Sequence, residues 1–276
     1  MERLQAALEK FKQQHYSGHD GAAMGRPQPA RHVPSPIIYT TTRSVEVPES
    51  VLGEHRILTG LERGPFVDGF KILRTQVMHR LRENGWNLLA LTSPGHGEGK
   101  TLTAINLAVA LAMETSQTVL LVDADLRNPS VQRVFDLGEC PGLTEYLFDD
   151  VPIQDLLIHP GIGRLVLLPG GRAIQNSAEA LSSQKMAALV DELKHRYQSR
   201  VVVFDLPPLL HRADALAFTP YVEAMLLVIE EGRTTIQDVT QALDLIKTVT
   251  PVLGTVLNKA GRNGISPKAM KRLLSA

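Results

Sequence analysis

The sequence predicts an α/β protein in which a mostly parallel sheet forms the middle of three layers, with helices on both faces. Three observations carry that expectation. From residue 88 onward, short and nearly continuous apolar runs recur; the segments between them have helical periodicity; and a glycine-rich turn joins the first run to an apolar helix. Strands with apolar residues at consecutive positions are buried on both faces, which requires a helical layer above and below.

Taken in order, residues 1–15 place Leu4, Leu8 and Phe11 at helical spacing among charged neighbours and predict a short amphipathic helix. Residues 16–64 follow as a tether and an unassigned segment. Pro27, Pro29, Pro34 and Pro36 keep the first part out of helix and sheet. Ile37 to Thr42 and Ser44 to Val47 are strand-like but have no evident partner. The folded domain is expected over 65–276. Its strands are predicted at Leu88–Thr92, Val119–Asp123, Leu165–Leu168, Val201–Asp205, Ala224–Ile229 and Val252–Leu257. Helices are predicted at 66–84, 100–114, 183–197, 235–247 and 266–275.

Composition narrows the function classes. The 276-residue chain is 43% hydrophobic, enough for one large core. Its 29 basic and 29 acidic residues cancel, which argues against nucleic acid as a partner and against attraction to an anionic membrane. The single cysteine, Cys140, cannot form an internal bridge, and a reducing cytoplasmic setting is expected. No apolar run approaches the roughly 18 residues needed for a membrane span, so any membrane association is expected through a protein partner.

The chemistry begins at Thr92-Ser93-Pro94-Gly95-His96-Gly97-Glu98-Gly99-Lys100-Thr101, between a buried strand and a helix. Glycines let backbone amides converge on phosphate oxygens, and a helix N-terminus adds a favourable dipole. Lys100 is placed to meet β- and γ-phosphates, and the Thr101 hydroxyl to ligate Mg²⁺. The usual loop has glycine five positions before Gly99; here Pro94 stands there. His96 is expected to face solvent. Two further strands end in carboxylates: Val119-Leu120-Leu121-Val122-Asp123-Ala124-Asp125-Leu126-Arg127, and Val201-Val202-Val203-Phe204-Asp205-Leu206-Pro207-Pro208. At the carboxyl ends of parallel strands, Asp123, Asp125 and Asp205 face the ligand crevice, where they can hold hydrated Mg²⁺ or accept a proton. The plainer alternative is a capping aspartate with a surface ion pair. Arg127 either contacts phosphate or pairs with a carboxylate. Loop, helix and acidic strand ends together predict the P-loop NTPase fold.

These motifs resemble the Walker A, A-prime and B set of the bacterial tyrosine kinases, especially exopolysaccharide-associated members, over residues 66 to 260. Asp68-Gly69-Phe70-Lys71-Ile72-Leu73-Arg74 resembles the family's ring-packing helix. Gly142 to Leu147, Leu168 to Gly171 and Asn176 to Leu181 resemble further family segments, and Glu2 to Lys12 resembles the N-terminal helix of exosortase-associated members. The resemblance implies ATP and Mg²⁺ as cofactors. It implies nucleotide contacts at Gly95, Gly97, Glu98, Gly99, Lys100, Thr101, Leu102, Arg127 and Asn258, the last near adenine. Lys100, Asp123, Asp125 and Asp205 take the catalytic roles, and Thr101, Asp123 and Asp205 the metal. A homo-oligomer is implied, with a membrane-embedded polysaccharide copolymerase as partner and a location peripheral to the inner membrane.

Related partition and division-site ATPases carry a lysine where this chain has Gly95, which favours the kinase branch. Family kinases also end in a tyrosine cluster, whereas no tyrosine follows Tyr221 here. Of the five tyrosines, Tyr146, Tyr197 and Tyr221 are expected in packed elements, and Tyr16 and Tyr39 in the N-terminal region. Two activities therefore stay open: a tyrosine autokinase, or an ATPase switch that controls ring assembly without phosphorylating tyrosine. A third reading, cargo positioning through the N-terminal helix, is weakened by that helix's mixed charge.

Overall fold

The computed structural model describes residues 42–59, 63–114, 117–195 and 200–261, all within one compact unit. The expected helices at 1–15 and 266–275, the tether to about Pro36 and residues 37–41 of the unassigned segment lie outside the described residues.

An eight-stranded sheet forms the middle layer. Its strands are β1 (Arg43–Ser44), β2 (Leu88–Thr92), β3 (Thr118–Asp123), β4 (Ile158–His159), β5 (Leu165–Leu168), β6 (Arg200–Asp205), β7 (Ala224–Glu230) and β8 (Val252–Asn258). The spatial order is β1-β4-β5-β3-β6-β2-β7-β8. All neighbours pair in parallel except β4 with β5. The six predicted strands are present with ends shifted by at most a residue. β1 and β4 were not predicted, because two residues carry no periodicity.

Burial on both faces has a direct reading in the residues. Along β2, β3 and β6, one set of alternating side chains (Leu89, Leu91, Val119, Leu121, Val201, Val203) joins one core. The intervening set (Leu88, Ala90, Leu120, Val122, Val202, Phe204) joins the other. The first core is closed by α2 (Pro65–Asn84), through Val67, Val77, Met78 and Leu81, and by α3 (Lys100–Ala112), buried from Thr103 to Ala112. The second is closed by α8 (Gln184–His195), through Met186, Leu189, Val190 and Leu193, and by α10 (Ile236–Ile246), through Ala242 and Ile246. Each of these helices matches a predicted one. Before them lies α1 (Glu49–Glu54), and between them α4 (Val131–Val134), α5 (Leu143–Asp149), α6 (Ile153–Leu156), α7 (Ser177–Leu181) and α9 (Asp214–Phe218). These short helices escaped prediction because one or two turns show no amphipathic period.

The segment before residue 65, unassigned from sequence beyond residue 36, is partly built into this fold. β1 extends the sheet, and Val47, Leu52, Ile57 and Leu58 enter the first core. Asn106, fully buried on α3, anchors them: its Oδ1 accepts from Leu58 N (2.8 Å) and its Nδ2 donates to Arg56 O (3.0 Å). Asn106→Ala would leave the buried Leu58 amide without its partner and remove the bond to Arg56 O. It is expected to cost about 2–4 kcal/mol in urea unfolding and to speed amide exchange selectively over residues 49–58.

Candidate active site

The phosphate-binding turn grows from β2, whose five residues are all buried. Its exit is fixed by Thr92 Oγ1 donating to Pro207 O (2.7 Å) and Ser93 Oγ donating to Gly95 O (2.7 Å). Gly97 and Gly99 have φ of 75° and 90°, left-handed values that glycine adopts without strain. Gly99 is also the N-cap of α3, and a Cβ there would lie 1.9 Å from Asn258 Nδ2. Any side chain there would be strained and would displace the Asn258 amide. The first turn of α3 contributes amides that have no partner inside the helix, directed at this turn. Glu98 does not project from the loop. Its buried carboxylate folds back to accept from Gly95 N (2.8 Å) and from the Thr234 hydroxyl.

The sheet register sets the acidic groups. β6 lies between β2 and β3, with Leu91 opposite Asp205 and Asp205 opposite Asp123. Carboxylates at two adjacent strand ends therefore face the start of α3. Lys100 Nζ lies 2.9 Å from Asp125 Oδ2 and 3.5 Å from Asp205 Oδ1. The Thr101 hydroxyl donates to Asp205 Oδ2 at 2.6 Å.

Asp123 is fully buried, and its oxygens accept from Ser130 N (2.7 Å), Val131 N (2.9 Å) and Asp125 N (3.2 Å). It anchors the loop that carries Asp125, which leaves Asp125 as the carboxylate presented to Lys100. Gly170 closes over this anchor, where a Cβ would sit 2.7 Å from Pro129 Cβ and 3.4 Å from Asp123 Cγ.

Burial raises the pKa of Asp123 from the usual 3.8 to about 7, helped by the charge of Asp205 and opposed by the Val131 and Ser130 amides. Burial also raises that of Asp205, against the pull of Lys100 and the Thr101 hydroxyl. For Lys100, burial works against the charge, but Asp205 and Asp125 outweigh it and keep the ammonium protonated. Two buried carboxylates, Asp125 and Asp205, share one lysine, and the excess of negative charge suits a divalent cation.

The donor set fits Mg²⁺. Thr101 and Asp205 supply hard oxygens side by side, and Mg²⁺ keeps most of its waters and takes few protein ligands. No group of three or more His, Cys, Asp or Glu side chains arranged as a metal cage occurs among the described residues. Asp123, expected as a third ligand, instead has its oxygens engaged by backbone amides. The structure thus brings together Gly95, Gly97, Glu98, Gly99, Lys100, Thr101, Asp123, Asp125 and Asp205. Leu102 is half-buried beside them, its carbonyl accepting from Asn106.

Two other expected positions read differently. Arg127 donates through Nε to Asp214 Oδ1 (2.8 Å), and Asp214 also accepts from Ser177, so the carboxylate pair is the alternative observed rather than a phosphate-facing guanidinium. Asn258 donates its amide to Glu98 O (2.9 Å) and accepts from Lys259 N (2.9 Å), so it grips the loop. Asp214 and Thr234 could not be singled out from sequence. Both lie far along the chain from their partners and in no motif.

A pH dependence follows. Between about pH 4 and 7 folded Asp123 holds a proton that the unfolded chain has lost, so stability falls as pH rises through this window. In metal-free buffer the unfolding free energy is expected to drop by about 1–3 kcal/mol from pH 5.5 to 8, and Asp205→Asn to flatten that slope, as read by urea titration.

Comparison with known proteins is consistent with this geometry. The AAA domain family profile matches residues 88–259, which contain every residue of the site. Tyrosine-protein kinase YwqD of Bacillus subtilis (strain 168) is 33% identical over 190 residues, 68% of this chain and 79% of the relative. The kinase domain of Escherichia coli tyrosine kinase ETK superposes with a TM-score of 0.67 at 25% identity, over 83% of this chain and 92% of that one. The septum site-determining protein MinD from Pyrococcus horikoshii OT3, solved with Mg-ADP, gives 0.56 at 25% identity, over 68% and 76%. With its glycine turn, paired acidic strand ends and shared length, the chain belongs to the bacterial tyrosine-protein kinase family of P-loop proteins.

Proposed function

We propose that this chain is a Mg-ATP-dependent phosphoryl-transfer enzyme, a tyrosine autokinase-like protein of exopolysaccharide biosynthesis and export that works beside a membrane-embedded copolymerase. The observation that carries this reading is Lys100 Nζ held between Asp125 and Asp205, with the Thr101 hydroxyl on Asp205. Phosphoryl transfer asks a protein mainly for positioning and charge stabilisation. The turn at 95–101 cradles the phosphates with its amides. Lys100, whose carboxylate neighbours favour its charged form, exchanges a carboxylate partner for a phosphate oxygen at little cost, because both partners are anionic. Thr101 and Asp205 would hold Mg²⁺, which when bound would supply charge neutralisation at the phosphates. Asp125, next to Lys100 and not tied to backbone through both oxygens, is the group that accepts the proton of the attacking hydroxyl.

Exposed Phe66 and Ile72 on α2, the helix that carries Asp68 to Arg74, support assembly with further copies of the chain. No helix among the described residues is long and apolar enough to cross a membrane, which supports attachment through a partner.

The second reading is an ATPase switch for ring assembly, and the tyrosines favour it. Tyr221 donates its hydroxyl to Ser182 O (3.3 Å), and the Tyr146 ring lies under Lys185 Nζ at 5.0 Å. Both are engaged in packed elements. Tyr16, Tyr39 and Tyr197 lie outside the described residues.

Incubation with Mg-ATP, scored for phosphate release and for phosphotyrosine by mass spectrometry, separates the two. Phosphotyrosine at Tyr16 or Tyr39 identifies the autokinase, and phosphate release alone identifies the switch. Lys100→Met is expected to lower either product at least about a hundredfold. Turnover that persists in this variant would overturn the assignment.

A further inference from the structure

Where β8 ends, two successive residues grip two successive carbonyls of the phosphate turn. Asn258 Nδ2 donates to Glu98 O (2.9 Å), and Lys259 Nζ donates to Gly97 O (2.8 Å). Both bonds span about 160 residues of sequence, between the last strand of the sheet and the loop after the second. Lys259 reaches the loop from an unusual backbone, with φ of 56°, a left-handed value that a lysine keeps only where its surroundings hold it. Those surroundings are present. Asn258 Oδ1 accepts from Lys259 N (2.9 Å), and Glu230 Oε2, at the end of the neighbouring β7, accepts from Lys259 Nζ (2.9 Å) and from Arg233 Nη1 (3.2 Å). Gly99 lacks the Cβ that would exclude the Asn258 amide.

In a loop that binds anions with its amides, the carbonyls must turn away from the anion. Gly97 and Gly99 are free to let the peptides on either side rotate, so something has to choose the rotation. We propose that Asn258 and Lys259 form a clamp that makes this choice: by holding the Gly97 and Glu98 carbonyls outward, they fix the amides of the turn inward, toward phosphate. They are positioning residues for the phosphate chain and do not read the base. Asn258 fits that role because both ends of its amide bond backbone: Nδ2 donates to Glu98 O, and Oδ1 accepts from Lys259 N. The inference rests on the nucleotide-binding reading above and adds to it a cause for the shape of the loop.

The test is calorimetric binding of three probes, Mg-ADP, Mg-GDP and Mg-pyrophosphate, to the full chain and to Lys259→Met, Asn258→Ala and Lys259→Arg. The clamp predicts that Lys259→Met and Asn258→Ala weaken all three probes by a similar factor, about threefold to tenfold, with pyrophosphate included because it has no base. Lys259→Arg, which keeps a donor, is expected to restore most of the loss. Amide exchange over residues 95–101 should quicken in Lys259→Met while its melting temperature stays near that of the parent. Should Asn258→Ala not fold, Lys259→Met and Lys259→Arg decide the matter alone. Unchanged binding in Lys259→Met, or a loss confined to the nucleotides and absent for pyrophosphate, would overturn the clamp. If the unsubstituted chain binds none of the probes, it is the nucleotide reading that fails, and the two failures are thereby told apart.

Discussion

The constraint on which the site depends is the burial of three carboxylates, Asp123, Asp125 and Asp205, around one ammonium group at the carboxyl edge of the sheet. Charged groups are costly in such a place unless they are paired or hydrogen-bonded. Each neighbouring feature answers part of that cost. Lys100 offsets two of the carboxylates, the Thr101 hydroxyl bonds one, and the Ser130 and Val131 amides bond the third. The register that sets Asp123 beside Asp205 follows from β6 lying between β2 and β3. What remains unbalanced is negative charge with hard oxygen donors, and a magnesium-bound phosphate chain complements it together with the amides of the turn.

Much of this was legible in the residues because the signals were local. A buried strand, a glycine turn, Lys-Thr and an apolar helix occupy one continuous stretch, and the two acidic strand ends announce themselves by placing aspartate after four or more apolar residues. Long helices such as α2 and α8 showed their period. What stayed hidden was non-local. Nothing near Arg127 signals that Asp214, 87 residues on, is its partner. Nothing around Leu58 signals that Asn106 will take its amide. Residues 43–58 stayed unassigned because the strand-like stretch from Ser44 to Val47 has no evident partner in sequence, and they become core only where α3 and the sheet edge meet them. Glu98 was legible as a loop residue but not as the brace it is, since its partner Thr234 belongs to another element.

The fold and the activity stand on different grounds. The fold is shared with the ETK kinase domain and with MinD alike, so by itself it does not choose between the two readings. The choice between transfer to tyrosine and a hydrolytic switch rests on which hydroxyl can reach Asp125. Tyr146 and Tyr221 are engaged elsewhere, by Lys185 and Ser182. In the proposed autokinase reading, the site is built by the sheet and the acceptor hydroxyl must be delivered to it.

The central claim is that the surplus negative charge around Lys100 makes a magnesium-dependent phosphate site. Its most direct test is calorimetric titration of the unsubstituted chain with ADP, with and without Mg²⁺. The account predicts binding that strengthens at least about tenfold when Mg²⁺ is present, as a cation between carboxylates and phosphates requires. Equal affinity in both titrations, or no binding in either, would contradict it.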